Sequence, residues 1–375
     1  MLNREAKRRN GGLGMNFRGS RELGVALAAL ALMVNYSPWI QQRLLSLPAA
    51  QAASAQASRT AERVLIPGGQ AVGVALHTRG VLVVAKAQDG SPDALRVGDV
   101  ILTVDGVQVE SARQLAEQVD ALGADTVTLG VQRGGRQMAV QAAARTDGAD
   151  GRRRLGIWVR DSTAGVGTLS YIDPETGAYG ALGHAIVDAD TGDLLDVEDG
   201  AIMNASVVGV TRGSNGKAGE LRGSFLRENE QIGTLETNGT YGIYGRMKEE
   251  VCGLLYPEGL PVGTRAQVHA GPASIIATVD DEGPREYAVE IVRCFAQSEP
   301  SPKGMILRVT DETLLAKTGG IVQGMSGSPI IQEGRLVGAV THVYLNDSTQ
   351  GYGMYIEWML RQSDILAADG SESAA

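Results

Sequence analysis

The sequence predicts a mainly β protein with two folded regions behind an N-terminal apolar segment. Its 375 residues are enough for two domains of ordinary size, each able to bury its own core. The composition has 50 Gly against 3 Phe, and Val, Ile and Thr recur in short runs interrupted by Gly, Asp and Asn. Such runs are typical of short strands joined by tight turns. The formal net charge of -9 leaves no general basic surface, which argues against a nucleic acid partner.

Basic residues cluster at the N-terminus, ahead of an apolar run. Residues 1–22 predict a basic segment held in the cytoplasm, and residues 23–40 predict a transmembrane anchor or signal segment. The run then contains Asn35, Ser37 and Pro38, so its strictest core is close to the length of a signal peptide. The sequence favours an uncleaved anchor over a cleaved signal, and residues 41–63 predict a polar linker. The rest of the chain is therefore expected outside the cytoplasm, membrane-anchored or secreted.

Export permits disulfide bonds, and the chain has two cysteines. Cys252 and Cys294 both lie in apolar, strand-like stretches, EVCGLL and EIVRCF. The sequence leaves open whether they form one bridge or two buried free thiols.

Residues 64–146 predict a small α+β domain with one helix. Ser111 and Gln114 form a capping box at its start, and Leu115, Val119 and Leu122 share one face. The stretch SPDALRVGDVILTVDGVQVESARQLAEQV resembles the centre of a PDZ domain, which implies that GGQAVGV binds a peptide's carboxylate or pairs with an extended segment. The alternative is a domain that packs on its neighbour and binds nothing. The residues implied as the PDZ peptide-binding loop are Gly69, Gln70, Ala71, Val72 and Gly73.

A polar, glycine-rich stretch, TDGADGRRR, predicts a domain boundary before the second region. The strand pattern resumes after it over residues 153–362, with residues 266–269 among the predicted strands. About two hundred residues of short antiparallel strands are typical of a sandwich or of paired barrels. Residues 363–375 are predicted to be a polar tail.

The segment GGIVQGMSGSP, residues 319–329, has the residues expected around a nucleophilic serine. A serine hydroxyl becomes a nucleophile when it is held still, deprotonated by a neighbour and faced by donors for the developing oxyanion. The glycines let the chain turn so that the backbone N–H groups of Gly324 and Ser326 point into one small space. The turn resembles the GDSGGP turn of trypsin-like proteases, with Met325 in place of the aspartate and Ser328 in place of the second glycine.

The hairpin IIQEGRLVGAVTHV follows this turn and strengthens the resemblance. In trypsin-like enzymes the strand after the next turn pairs with an extended substrate backbone. The resemblance implies a chymotrypsin- or trypsin-like double β-barrel for the second region. The implied substrate strand contains Val340, Thr341, His342 and Val343.

Four histidines are candidates for the base that activates the serine. His184 lies in a corner of small residues, between AYGALG and AI, and precedes the serine as the base of a two-barrel protease does. His77 and His269 are predicted to be ordinary histidines. His342 is assigned the same way, with the reservation that it can line the substrate strand.

The carboxylate that orients the imidazole is undecided from spacing alone. Both Asp311 and the acidic loop that follows His184 are candidates for this orienting carboxylate. However, Val64 to Trp358 resembles the stage IV sporulation protein B peptidases, a PDZ domain followed by a trypsin-like peptidase domain. The stretches that match are VLIPGGQAVGVAL, YGALGHAI, GTLETNGTYGIYG and KTGGIVQGMSGSPIIQEGRLVGAVTHV. This resemblance implies a triad of His184, Asp311 and Ser326.

The resemblance also implies a function in sporulation signalling. Such serine endopeptidases are exported to the space between the forespore and mother-cell membranes, where they cleave themselves near the N-terminus. They then cleave a membrane-bound regulator, which activates processing of a sigma-factor precursor. The expected partners are therefore protein substrates and the membrane. No cofactor and no metal site is expected, because no two histidines stand at ligand spacing.

Two other functions stay open from the sequence. One is a PDZ-based binding or scaffold protein with a non-catalytic trypsin-like domain, in which Ser326 is an ordinary turn residue. The other is a quality-control serine protease, which has both domain types. In that family the PDZ domain normally follows the protease domain, so the order found here argues against it.

Overall fold

Strands dominate the structure, a computed structural model that describes residues 63–87, 94–214, 216–225, 231–248 and 250–372. The predicted cytoplasmic and membrane segments, residues 1–40, lie outside the described residues, as do residues 41–62 of the predicted linker. Within the described ranges no helix is long and apolar enough to span a membrane.

The secondary structure confirms the mainly β prediction. The helices of the described residues are α1 Ala112–Leu122, α2 Glu312–Thr318 and α3 Ile356–Glu372. The first strands are β1 Val64–Pro67, β2 Ala71–Lys86, β3 Val100–Val104, β4 Val107–Gln108, β5 Thr126–Arg133, β6 Arg136–Ala143, β7 Arg145–Thr146 and β8 Arg153–Arg154. The next are β9 Ile157–Ile172, β10 Ala178–Ala181, β11 Val197–Thr211, β12 Glu220–Phe225, β13 Gln231–Thr234, β14 Thr237–Gly239, β15 Gly242–Arg246 and β16 Leu260–Pro261. The last are β17 Gly271–Ala277, β18 Arg285–Cys294, β19 Met305–Val309, β20 Pro329–Gln332, β21 Arg335–Val343 and β22 Gln350–Tyr355.

Two long antiparallel strands, β2 and β9, run through both folded regions. Residues 71–77 of β2 pair with residues 162–168 of β9, and after a register shift residues 82–86 pair with residues 157–160. One end of this ribbon therefore belongs to the second folded region, residues 153–362, and the other end to the small α+β region. The two regions are joined by a continuous sheet.

The small α+β region consists of α1 packed on the sheet that contains β3, β5 and β6. The predicted helix is confirmed, because Ser111 Oγ accepts a hydrogen bond from Gln114 N at 3.2 Å. The return bond of the capping box differs from the prediction. Gln114 Oε1 accepts from Glu110 N at 2.9 Å, one residue before the cap. Leu115 and Val119 are buried in the core of this region, as their helical spacing predicts.

The second folded region has two sheet systems. In the first, β10 lies between β9 and β15, and β11 pairs with β2, β12 and β13. Its core includes Leu169, Tyr179 and Ile243, which are fully buried. The second is a closed barrel with the strand order β17-β18-β19-β22-β21-β20, which supports the double-barrel prediction.

The two cysteines are free thiols. Cys294 is half-buried, and burial raises its pKa. Cys252 is exposed, so of the two alternatives that the sequence left open the thiols are free, but this one is not buried. The stretch EVCGLL forms a loop at the surface rather than a strand.

Candidate functional site

A groove of about 550 Å³ contains the predicted nucleophile and the predicted base. His184 comes from the loop after β10 in the first sheet system, whereas Ser326 comes from the turn before β20 in the second barrel. Small side chains, such as Ala164, Ala185 and Ala218, line much of its wall. The structure therefore brings together two residues that lie far apart in the sequence. We call this cavity the inter-barrel groove.

The turn that carries Ser326 is held by the core beneath it. The Met325 side chain is fully buried in the second barrel, and its backbone N–H donates to Val322 O at 3.2 Å. Gly327 has a φ of +100°, and a Cβ there would lie 2.1 Å from Thr168 O. The first sheet system thus approaches the turn so closely that only glycine fits. An apolar residue at the position of the trypsin-like aspartate anchors the turn by burial instead of charge.

The two backbone amides predicted for an oxyanion hole are available in the inter-barrel groove. Gly324 and Ser326 both line the groove, and within the described residues neither N–H donates to an acceptor. Their carbonyls point to other partners, because Thr168 Oγ1 donates to Gly324 O at 2.8 Å and Thr168 N donates to Ser326 O at 3.0 Å. Thr168, which sequence reasoning missed, therefore holds the peptide groups that follow Gly324 and Ser326 in this turn. Two free amides beside a serine can stabilise an oxyanion.

The His184 ring has the tautomer that a general base needs. Its Nδ1 lies 2.8 Å from Ala185 O. A carbonyl oxygen only accepts, so Nδ1 carries the hydrogen and Nε2 of the neutral ring keeps a lone pair. A serine hydroxyl can transfer its proton to such a nitrogen.

The Ser326 hydroxyl is engaged elsewhere in this structure. Its Oγ donates to Thr341 O at 2.9 Å, and no hydrogen bond joins it to His184. Thr341 lies at a register shift in β21, where residues 341–343 extend past the end of β20. This edge of β21 is where the sequence predicted the substrate strand. The Ser326 hydroxyl therefore donates to a carbonyl on the edge of β21 with which an extended peptide could pair.

His342 lies beside His184 in the inter-barrel groove, with the ring centroids 5.6 Å apart. Burial, together with the neighbouring His184 and Lys303, lowers the pKa of His342 to about 4. Its Nδ1 is buried and has no hydrogen-bond partner among the described residues. His342 is therefore neutral at physiological pH. The other two histidines form surface pairs, His77 with Asp199 and His269 with Glu333.

Asp311, the predicted third member of the triad, caps helix α2. Its carboxylate accepts a hydrogen bond from Leu314 N at 2.9 Å. In the described part of the chain no carboxylate hydrogen-bonds to the His184 ring, and Asp188 and Asp190 of the acidic loop both pair with Arg160. The structure does not join Asp311 to His184, and the triad role of Asp311 stays a prediction.

The structure differs from the prediction of a PDZ peptide-binding loop at residues 69–73. Residues 69–73 are buried, and they belong to the sheet shared with the second folded region. Gly69 N donates to Leu169 O at 2.8 Å, and Gly69 O accepts from Thr278 Oγ1 at 2.9 Å. Ala71, Val72 and Gly73 pair with β9. Because these backbone groups already have partners, this segment cannot receive a peptide.

A second groove, also about 550 Å³, lies between α1 and the beginning of β9. Residues 157–160 of β9 pair with β2 along one edge, and the described residues provide no strand partner along the other. Leu115 and Val119 of α1 face residues 157–159 across the groove. A helix beside a free strand edge is the arrangement that adds a peptide as an extra strand. The short apolar run LGIWV, residues 155–159, is the sequence feature that could have predicted this strand edge.

Residues 151–360 match the family described as SpoIVB peptidase S55, and residues 68–143 match the PDZ domain. A comparison with curated proteins finds no match. Among solved structures, the chain is similar to the PDZ domain of the SdrC-like protein from Listeria monocytogenes, at 25% identity over 22% of this chain and 87% of that chain, with a TM-score of 0.20. It is similar to the active form of the Rv3671c protease from M. tuberculosis, at 13% identity over 53% of this chain and 73% of that chain, with a TM-score of 0.29. It is also similar to a mutant of human heparin binding protein, at 14% identity over 54% of this chain and 86% of that chain, with a TM-score of 0.32.

The family matches and the fold define a serine peptidase that carries a PDZ domain, and its substrates are proteins. The peptidase match spans more than half of the sequence. The chain belongs to the SpoIVB peptidase S55 family.

Proposed function

We propose that this serine peptidase is an endopeptidase of sporulation signalling that uses Ser326 as its nucleophile and His184 as its base. The observation that carries the proposal is the inter-barrel groove, where one cavity is lined by a serine, by an imidazole whose Nδ1 lies against a carbonyl oxygen, and by two amides that have no acceptor among the described residues. The family supports the sporulation context.

Catalysis begins when a substrate backbone pairs with the free edge of β21. A substrate N–H that donates to Thr341 O takes the place of the Ser326 hydroxyl, which then turns towards His184. Ser326 Oγ attacks the substrate carbonyl while His184 Nε2 accepts the proton, and the N–H groups of Gly324 and Ser326 bind the oxyanion. The imidazolium gives its proton to the leaving amine, and water hydrolyses the acyl-enzyme by the same route.

The proposed substrates are the chain itself, cleaved near its N-terminus, and a membrane-bound sporulation regulator. The proposed location is the space between two membranes, with the N-terminal segment as the anchor. The groove between α1 and β9 supplies a site for an extended peptide of either substrate. A scaffold with a non-catalytic peptidase fold is the alternative, and the bond between Ser326 and Thr341 is the observation that favours it.

Labelling of the full chain with a fluorophosphonate tests the nucleophile. We expect the label on Ser326, and we expect it to be lost in Ser326→Ala and strongly slowed in His184→Ala. Ser328→Ala is the matched control, because this serine lies in the same turn with a fully buried hydroxyl that has no partner among the described residues. Self-cleavage of the wild type, absent in Ser326→Ala, tests the endopeptidase activity. A folded wild-type chain that takes no label supports the scaffold instead.

A further inference from the structure

Asn238, on β14, is buried beside the segment that carries His184. Its Oδ1 accepts a hydrogen bond from Ile186 N at 2.8 Å, and its Nδ2 donates to Ile186 O at 2.7 Å and to Leu195 O at 2.8 Å. Exchanging the oxygen and nitrogen of this amide would set donor against donor and acceptor against acceptor, so the network defines its orientation. At 7% exposure the side chain has little contact with water that could replace these bonds.

The Ala185 carbonyl and the Ile186 N–H belong to one planar peptide group. The carbonyl end accepts from His184 Nδ1, and the N–H end donates to Asn238. This peptide group cannot rotate away from the imidazole without breaking a buried hydrogen bond. The Asn238 side chain thus holds the carbonyl that selects the tautomer of His184.

We propose that Asn238 is a positioning residue for His184, acting through the peptide group between Ala185 and Ile186. The proposal rests on the proposed role of His184 as the base. In trypsin-like enzymes a carboxylate fixes the tautomer and orientation of the imidazole. Here a peptide carbonyl occupies that position on the ring, and an asparagine orients the peptide. The sequence contained Asn238 only as part of the stretch GTLETNGTYGIYG.

The rate of fluorophosphonate labelling tests this role in the full chain. For Asn238→Ala we expect the maximal labelling rate constant to fall about 10²-fold, because a misplaced base loses near-attack geometry. The concentration for half-maximal rate should stay unchanged, because the groove that binds the probe is intact. Nitrogen-15 NMR of the four histidine rings gives a second readout. We expect neutral His184 to carry its hydrogen on Nδ1 in the wild type and to show mixed tautomers in Asn238→Ala.

Tyr179→Phe is the matched control for loss of a buried hydrogen bond in the same sheet system. Tyr179 is fully buried, and its hydroxyl donates to Thr234 O at 2.8 Å, away from the groove. We expect this variant to lose thermal stability but to keep the wild-type labelling rate and the His184 tautomer. A purely structural role for Asn238 would give both variants the same result.

Asn238→Asp keeps the acceptor for Ile186 N, and its protonated carboxyl keeps one donor for the carbonyl of Ile186 or Leu195; burial beside two carbonyl oxygens favours this protonated form. We expect it to retain the Nδ1 tautomer of His184 and to label faster than Asn238→Ala, and it replaces the alanine variant if that chain does not fold. A folded Asn238→Ala with wild-type labelling, or a folded Asn238→Asp with the hydrogen moved to Nε2, overturns the proposal. The proposed function fails if the wild type takes no label or if His184→Ala labels at the normal rate. If those two results are as expected and only the Asn238 variants leave labelling unchanged, the role of Asn238 fails and the proposed function stands.

Discussion

Substitutions at Asp311 separate a helix cap from a member of a catalytic triad. The carboxylate accepts a hydrogen bond from Leu314 N at 2.9 Å, at the start of the seven-residue helix α2. Asparagine caps a helix about as well as aspartate, whereas alanine does not. If capping is the only role, Asp311→Asn should be nearly as stable and as active as the wild type. Asp311→Ala should keep its activity and lose only stability.

The expected loss of stability follows from the cap geometry. Loss of an N-cap side chain costs about 1 kcal/mol, and loss of a negative charge at a helix N-terminus costs about 0.3–1 kcal/mol more. For a folded unit of this size, a change of about 1–2 kcal/mol lowers the melting temperature by only about 2–8 °C. In a triad, by contrast, replacing the orienting aspartate with asparagine lowers kcat by about 10⁴-fold. The two roles thus differ by orders of magnitude in activity.

Thermal unfolding and fluorophosphonate labelling, measured on both variants, decide between these roles. We expect Asp311→Asn to melt within a few degrees of the wild type and to label at a rate within about threefold of it, because the cap is retained. Glu312→Gln, the neighbouring change of charge in the first turn, controls for electrostatics at the helix N-terminus. A folded Asp311→Asn that labels about 10³-fold more slowly or worse refutes the reasoning and supports the triad implied by the family.

Three further predictions concern residues in and around the inter-barrel groove. Gly327→Ala should lose about 2–6 kcal/mol of stability, because its Cβ would meet Thr168 O at 2.1 Å at a φ of +100°. Chemical denaturation compares this variant with Gly334→Ala, where nothing lies within 4 Å of the added Cβ. Equal losses of stability in the two variants would contradict the prediction. Thr168→Val removes the hydroxyl that holds Gly324 O and should slow labelling about 10-fold through loss of oxyanion geometry; an unchanged rate would show that the turn holds itself. His342 has a pKa of about 4 in the folded protein, against an ordinary value of 6.5. Below pH 6.5 the unfolded chain binds a proton at this ring that the folded protein does not, so the stability contribution of the neutral ring is complete above pH 6.5 and is lost as the pH falls towards 4. The loss of unfolding free energy is about 1–2 kcal/mol after screening of this partly exposed ring. His342→Asn should therefore flatten the decline of the unfolding free energy between these pH values, and a parallel decline would contradict the shift.

Local chemistry made several parts of the fold predictable. The cap at Ser111 and the apolar face of α1 depend on residues within one or two helical turns; the structure has the cap and buries Leu115 and Val119 of that face, whereas Leu122 in the last turn is exposed. The convergence of His184 and Ser326 in one groove also followed from the sequence, through the glycine-rich turn and the resemblance to a two-barrel enzyme. The residues that predict the helix lie close together in the chain, whereas His184 and Ser326 lie far apart and were linked only through the resemblance to a two-barrel enzyme.

Features that depend on long-range pairing were not predictable in the same way. The segment GGQAVGV looks like a binding loop by itself, but β9 pairs with it from about a hundred residues away and uses its backbone groups. Residues 266–269 alternate like a strand and form a loop, where Gln267 Oε1 instead accepts from Thr264 N. Asn238 had no distinguishing signal, because its importance lies in three hydrogen bonds to two residues on other segments, Ile186 and Leu195.

A crystal structure of the full chain after reaction with a peptidyl phosphonate tests most directly whether this groove performs the chemistry. We expect phosphorus bonded to Ser326 Oγ, with the phosphonyl oxygen about 3 Å from the amide nitrogens of Gly324 and Ser326. The inhibitor backbone should pair with β21 and occupy Thr341 O, the acceptor that Ser326 uses in the free protein. An adduct on another residue, or a phosphonyl oxygen turned away from both amides, would contradict the assignment of this groove as the active site.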